Sequence, residues 1–281
     1  MAPALADRAP ARARRWGDLR LRIISAAVLA PIALFCVWVG RVPFLVLVAV
    51  TTAGLVWEWL ELWRGARGAA SLFASRTGAP GKGSSDPSTL SAAPTGPGLH
   101  EEEVQDTVAV ARPGIVALLC GLLAILVAAV CVAWLRSEPR VGLYNILFLL
   151  ILVWCSDSGA YVTGRIVRGP KLAPRISPGK TVAGAAGGLA AAVVGGICVA
   201  LAVPLPTSLW HAAMVAALLG VAAQAGDLLE SYVKRRFGAK DSGRLIPGHG
   251  GLLDRLDALV AAALVAAVLA LAQEPGVVLW G

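Results

Sequence analysis

From Leu209 to Leu229 the chain reads LWHAAMVAALLGVAAQAGDLL. That is about the 20 mostly apolar residues a helix needs to cross a bilayer, and its one charge, Asp227, comes near the end. The next stretch, Ser231 to Asp257, reads SYVKRRFGAKDSGRLIPGHGGLLDRLD and crowds cations, carboxylates, a histidine and glycines together. A further apolar segment, Leu256–Ala272, follows at once. A charge-dense loop at the mouth of a hydrophobic bundle suits a phosphorylated substrate.

Working outward, apolar segments of similar length recur at Arg22–Val39, Pro43–Trp63, Gly114–Leu135, Leu143–Val162 and Val182–Val203. The count is seven, within a range of about six to eight because the Ala- and Gly-rich segments score weakly. With 57% hydrophobic residues, 15% charged and a mean hydropathy of +0.73, an ordinary soluble domain is excluded. The expected fold is all-α: a polytopic integral membrane helical bundle. Arg8, Arg12, Arg14 and Arg15 precede the apolar run Ile23–Val39. That run is long for a signal core and lacks a small-residue cleavage site, so an uncleaved first helix is expected.

Charge sets the orientation. With the N-terminus in the cytoplasm, only Arg41, Arg136 and Arg140 of the 25 Lys and Arg fall on the far side, as the positive-inside rule requires. The net charge of +8 then reports topology and anionic headgroups, and calls for no nucleic acid. The expectation is a multi-pass protein of the plasma membrane with its polar site facing the cytoplasm. Cys36, Cys120, Cys131, Cys155 and Cys198 all lie in apolar segments and read as small buried hydrophobes, not as disulfides or a zinc site. Trp57, Trp59 and Trp63 lie near a helix end, where an interfacial belt is the default reading.

Three regions are expected: 1–63, a basic tail and two-helix membrane hairpin; 64–112, a Gly/Pro/Ser-rich cytoplasmic linker expected to be disordered; and 113–281, a five-helix membrane domain carrying every motif. Gly184 and Gly188, four apart, allow close helix packing inside the bundle in preference to across a homodimer interface.

Asp227 stands at the C-terminal end of its segment, where the helix dipole disfavours an anion, and shares a helix face with Glu230 or Ser231 and with Lys234. Pairing with Lys234 or Arg235 is the bland account of it. Asp254 and Asp257 follow the Gly248-His249-Gly250-Gly251 turn and open the last helix, where acids are favoured as caps. Glycines there also leave backbone N–H groups open to a phosphate. If the last two helices are antiparallel neighbours, Asp227 and Asp254 meet at one membrane face, and two carboxylates with substrate phosphates are the usual holders of Mg²⁺. Lys234, Arg235, Arg236, Lys240 and Arg244 supply opposite charge, although a basic run beside a membrane helix is often only topogenic. His249 is suited to donate to a phosphate or to order the turn. A second polar island holds Asp157 and Tyr161 and is followed by a basic loop from Arg165 to Lys180. Pro174-Arg-Ile-Ser-Pro-Gly179-Lys180-Thr181 nearly spells a P-loop. Proline replaces its first glycine and no strand is expected before it, so that reading is rejected; Lys180 remains a candidate phosphate contact.

Together, Ser231, Lys234-Arg235, Lys240-Asp241, Gly243, Pro247, His249-Gly250-Gly251 and Asp254-Arg255-Leu256-Asp257 resemble the signature of the phosphatidate cytidylyltransferases (CDP-diacylglycerol synthases). More loosely, Ser156-Asp157-Ser-Gly-Ala-Tyr161, Gly164-Arg165 and Ile176-Ser177-Pro178-Gly179-Lys180-Thr181 are similar to two further segments of that family. Gly179 stands where a lysine is usual and Ala183 where a glutamate is common. The resemblance implies transfer of CMP from CTP to phosphatidic acid, with release of pyrophosphate, in phospholipid biosynthesis. It implies Asp227, Asp254, Lys234, Lys240 and His249 as the catalytic set, with Asp227 and Asp254 holding Mg²⁺ beside a monovalent cation such as K⁺. Arg235, Lys180, Arg255, Gly250, Gly251 and Ser231 are its implied substrate contacts, and Asp157, Asp241 and Asp257 orienting or additional metal residues. CTP, phosphatidic acid and membrane lipids are the implied partners. The rival readings are a CTP-dependent lipid kinase of the polyprenol type, an anionic-solute transporter, which would need polar groups at the bilayer midplane, and an inactive homologue.

Overall fold

The computed structural model describes residues 25, 27–77, 114–205, 208–243, 245–246, 250–274 and 276–281. Seven helices run through them: α1 Ala27–Val39, α2 Arg41–Thr77, α3 Ile115–Ser137, α4 Gly142–Ile166, α5 Val182–Ala202, α6 Leu209–Arg236 and α7 Leu253–Leu271. The all-α expectation holds. Five of them, α2 through α6, are long and apolar enough to cross a membrane; α7 opens on Asp254, Arg255 and Asp257 before its apolar part begins.

Two local outcomes differ from the expectations. First, α2 continues past Arg64 to Thr77, because RGARGAASLFASRT is mostly Ala, Arg, Leu and Ser, which tolerate a helix, and the Gly/Pro cluster comes only afterwards. The rest of the expected linker, 78–112, lies outside the described residues. Second, the basic loop before α5 is a two-stranded antiparallel hairpin, β1 Lys171–Ala173 with β2 Ser177–Thr181. Pro174 sits at the second position of its turn, where a fixed φ is favoured, and Ile176 N donates to Ala173 O at 3.1 Å. Contrary to expectation a strand, β1, does precede the near-P-loop, but the residues of that segment form a turn and the second strand, not a phosphate-binding loop.

Small residues bring α4 and α5 together. A Cβ on Gly184 would stand 2.9 Å from Ala160 O, and one on Gly188 would stand 2.8 Å from Ser156 O, so this pair is used inside the bundle. Two cores result. One is built around Phe148 and Trp280, stacked with centroids 4.3 Å apart. The other joins Leu55, Trp59 and Leu62 of α2 to Ile125, Phe237 and Leu253. Trp59 is therefore a core residue, not an interfacial one: its ring is buried, packs on Phe237 and donates from Nε1 to Leu118 O at 3.1 Å. Trp57 stays exposed. At the opposite end of the bundle, Arg136 donates from Nε to Val37 O at 2.8 Å and from Nη2 to Trp38 O at 3.2 Å, satisfying carbonyls that end α1. Val116, Leu119, Leu123, Leu126 and Val130 form an exposed apolar stripe along α3, as a lipid-facing helix should.

Candidate active site

The polar residues gather at one end of the bundle, where α4 and α6 finish and α5 and α7 begin. A cavity of about 580 Å³ lies between α4, the hairpin, α5 and α6, and Asp157, Arg165, Gly179, Lys180, Gln224 and Asp227 are among its lining residues. Lys180, at the end of β2, pairs with Asp227 of α6, Nζ to Oδ2 at 2.5 Å. Thr181 caps α5, its hydroxyl accepting from Gly184 N at 3.0 Å. Gln224, one turn before Asp227, donates to Ala185 O at 3.0 Å. Arg165 lies over the Tyr161 ring and bonds its hydroxyl. Asp157 of α4 lines the same cavity, whereas Asp257 of α7 lines a neighbouring one against α3; both carboxylates lie within the electrostatic reach of Asp227.

A second cluster lies beside it between α6, α7 and the loop joining them. Lys234 Nζ pairs with Glu230 Oε2 at 2.5 Å and Asp254 Oδ1 at 2.6 Å. Asp254 also accepts from the backbone N–H groups of Ser242 (3.2 Å) and Gly251 (3.3 Å). Burial would raise the Asp254 carboxyl, but the bond and charge of Lys234, with the Ser242 N–H, outweigh it and hold the group below its ordinary value. The two acids expected to share a metal thus have different immediate partners: Asp227 faces the cavity with Lys180, and Asp254 faces Lys234. Gly226 abuts Asp257 O and Ala261, which sets Asp227 level with Asp257 across the α6–α7 seam.

The other predicted residues are placed as follows. Arg235 ties α6 to the hairpin, Nε donating to Ile176 O at 3.3 Å, and Nη1 bonds Ala239 O at 3.4 Å. Lys240 and Asp241 are exposed on the loop, Ser231 is half-buried on α6, and Arg255 is exposed on α7 within reach of Asp157. Gly250 has φ +87 and bridges to Ile246, a conformation that favours glycine. The Gly251 N–H, a candidate phosphate donor, is taken by Asp254. His249 and Arg244 lie outside the described residues.

Sequence reasoning missed Glu58. It is 0% exposed on α2, and its carboxyl accepts from Leu253 N at 2.8 Å, Leu245 N at 3.3 Å and Ser242 Oγ at 3.3 Å. An acid in a membrane segment is a functional candidate by default, but Glu58 stands between Trp57 and Trp59, where an interface is the default reading. Gln224 was missed in the same way, as a lone amide in an apolar run.

A family model for the cytidylyltransferase family matches residues 104–272, which include every described residue of both clusters except Glu58. The chain is 40% identical over 264 residues to a phosphatidate cytidylyltransferase of Brucella suis biovar 1, covering 88% of this chain and 91% of that protein. It is 46% identical over 125 residues to one of Staphylococcus saprophyticus, covering 44% of this chain and 47% of that protein. A basic and acidic site at one end of a membrane bundle, with these relatives and this match, places the chain in the cytidylyltransferase family.

Proposed function

We infer that this protein is a phosphatidate cytidylyltransferase, a membrane nucleotidyltransferase joining CTP and phosphatidic acid into CDP-diacylglycerol and pyrophosphate. The observation that carries the reading is the cavity in which Lys180, Arg165 and Asp227 meet at the polar end of an apolar bundle. Cations there suit a nucleotide triphosphate, and the lipid-exposed helices suit a substrate whose acyl chains stay in the bilayer.

In the reaction an oxygen of the lipid phosphate attacks the α-phosphorus of CTP. The bond from that phosphorus to the β-bridging oxygen breaks, and pyrophosphate leaves with the electron pair. Protein groups contribute mainly position and charge neutralisation. Lys180, Lys234, Arg235 and Lys240 are the proposed partners of phosphate oxygens, with Arg255 and Ser231 beside them. Gly250 and Gly251 shape the end of the loop, and His249 is proposed as a phosphate donor from its place in the sequence. Among the described residues no three His, Cys, Asp or Glu side chains are grouped to hold a metal ion. Asp227 puts a hard-oxygen carboxylate into the cavity, one oxygen of it paired with Lys180, a donor type that fits Mg²⁺, which usually takes one or two carboxylates plus substrate phosphates. Asp227 would be the principal holder, with Asp157 and Asp257 nearby. Asp254 would join it only on parting from Lys234, and a monovalent cation such as K⁺ would take a neighbouring position. When bound, the ion neutralises charge on the transferring phosphate. The site faces the cytoplasm, on the charge asymmetry of the sequence.

Membranes containing the protein, given Mg²⁺, phosphatidate and CTP labelled at the α-phosphate, form labelled CDP-diacylglycerol. Label in lipid from γ-labelled CTP, with none from α-labelled CTP, would overturn the reading in favour of a kinase. No labelled lipid from either, with the protein folded, would overturn it altogether.

A further inference from the structure

We propose that Glu58 is a positioning residue for the reaction, the group by which α2 sets the loop between α6 and α7. The inference rests on the functional reading above for its catalytic part, and on geometry alone for the rest. Glu58 comes from α2, outside the region matched by the family model, yet its three hydrogen bonds all go to the loop or the start of α7. Oε2 accepts from Ser242 Oγ and Leu253 N, and Oε1 accepts from Leu245 N. Two of these donors are backbone N–H groups, so they fix the path of the chain and not one rotamer. Gly243 lies against the same carboxyl: a Cβ there would stand 2.5 Å from Oε1.

The consequence reaches the polar cluster directly. Ser242 is bonded to Glu58 through its hydroxyl and to Asp254 through its N–H, and Asp254 holds Lys234. Leu253, one residue before Asp254, donates to Glu58 at 2.8 Å. Two carboxyl groups from two helices therefore grip one loop at the same residue, Ser242. Moving one displaces the other, and with it the ammonium group proposed to meet phosphate. A buried acceptor holding three donors suits this role, since removing it leaves those donors unsatisfied. Glutamine keeps one carbonyl oxygen but turns an NH₂ toward the donors the other oxygen served.

The test compares Glu58→Gln, Glu58→Ala and, as a control, Glu61→Gln at an exposed acid of the same helix. Each purified full-length variant is quantified as folded, detergent-soluble protein and assayed for kcat and KM toward CTP. Its loop is then probed by limited trypsin cleavage at Arg236 and Lys240. Expected are kcat per folded molecule down about a hundredfold for alanine, a smaller loss for glutamine, and faster cleavage of the loop in both. Glu61→Gln matches the parent. Unchanged kcat per folded molecule with unchanged cleavage would overturn the proposal, as would a loss confined to the yield of folded protein. Should the Glu58 variants not fold, Gly243→Ala disturbs the same contact from the loop side and is expected to give the same signature; parental kcat and cleavage there would overturn the proposal. An inactive parent enzyme defeats the functional reading, while the cleavage comparison still decides whether Glu58 holds the loop.

Discussion

Asp227 and Asp254 were expected to act as one pair, and the structure gives them different partners. Asp227 opens on the cavity and meets Lys180; Asp254 is bonded to Lys234 and to two loop N–H groups. Asp227→Asn is expected to abolish transfer and to remove any Mg²⁺ protection against thermal unfolding. Asp254→Asn should also abolish transfer, with a loss of stability as well. The sign of the second effect follows from its carboxyl being held below the ordinary range: the stabilisation is fully present above the unfolded value of about 4 and is lost as pH falls through the lower folded value. Melting curves should therefore separate Asp254→Asn from the parent at pH 7 and bring them together as pH falls below the lowered folded value. Gly179 gives a contrasting case. It lines the cavity and a side chain there would meet nothing within 4 Å. Gly179→Lys, which restores the lysine usual in the family, should leave the melting temperature unchanged and lower the KM for CTP; a cost in stability would show that the space is not open.

Among the elements, the hairpin β1–β2 does the most with the fewest residues. It delivers Lys180 to the cavity and ends in Thr181, which caps α5. Its turn is held to α6 by Arg235 through Ile176 O. Arg235→Ala should therefore weaken CTP use through a displaced Lys180 as well as a lost cation. A double-mutant cycle with Lys180→Ala measures that coupling, and purely additive losses would show that the two act apart. The hairpin also marks a limit of sequence reading. Lys171–Ala173 is too short to show alternation, and Ser-Pro-Gly-Lys-Thr carries two residues that argue against a strand. The helices were legible because each is a long apolar run. The contacts of Glu58, Ser242 and Leu253 were not, because nothing local in α2 says which distant loop will cover an acid. The charged residues of α6 and α7 were legible as a motif, whereas their sorting into two clusters depends on the rotation of each helix about its axis.

For the whole molecule, the bundle is polar at one end and carries only a few charges at the other. Arg136 and Glu138 lie at that far end, and Lys240 and Asp241 at the near one. Single cysteines at Lys240 and Glu138, in a cysteine-free background, should react with a membrane-impermeant maleimide from opposite sides of sealed vesicles, Lys240 from the cytoplasmic side. Labelling of both from one side would contradict the topology. Replacing the five native cysteines is expected to be tolerated, because all are free and none is fully buried.

The bonds from Glu58 to Ser242, Leu245 and Leu253 span 184, 187 and 195 residues, which has a consequence for biogenesis. A chain made from its N-terminus inserts α2 before those partners, and the acid then waits while the intervening residues are made. Until they arrive it is a polar group in an apolar helix, which is costly to keep from water. Closure of the α6–α7 loop over Glu58 is thus a late event in assembly, and a chain truncated before Ser242 lacks all three donors of that acid.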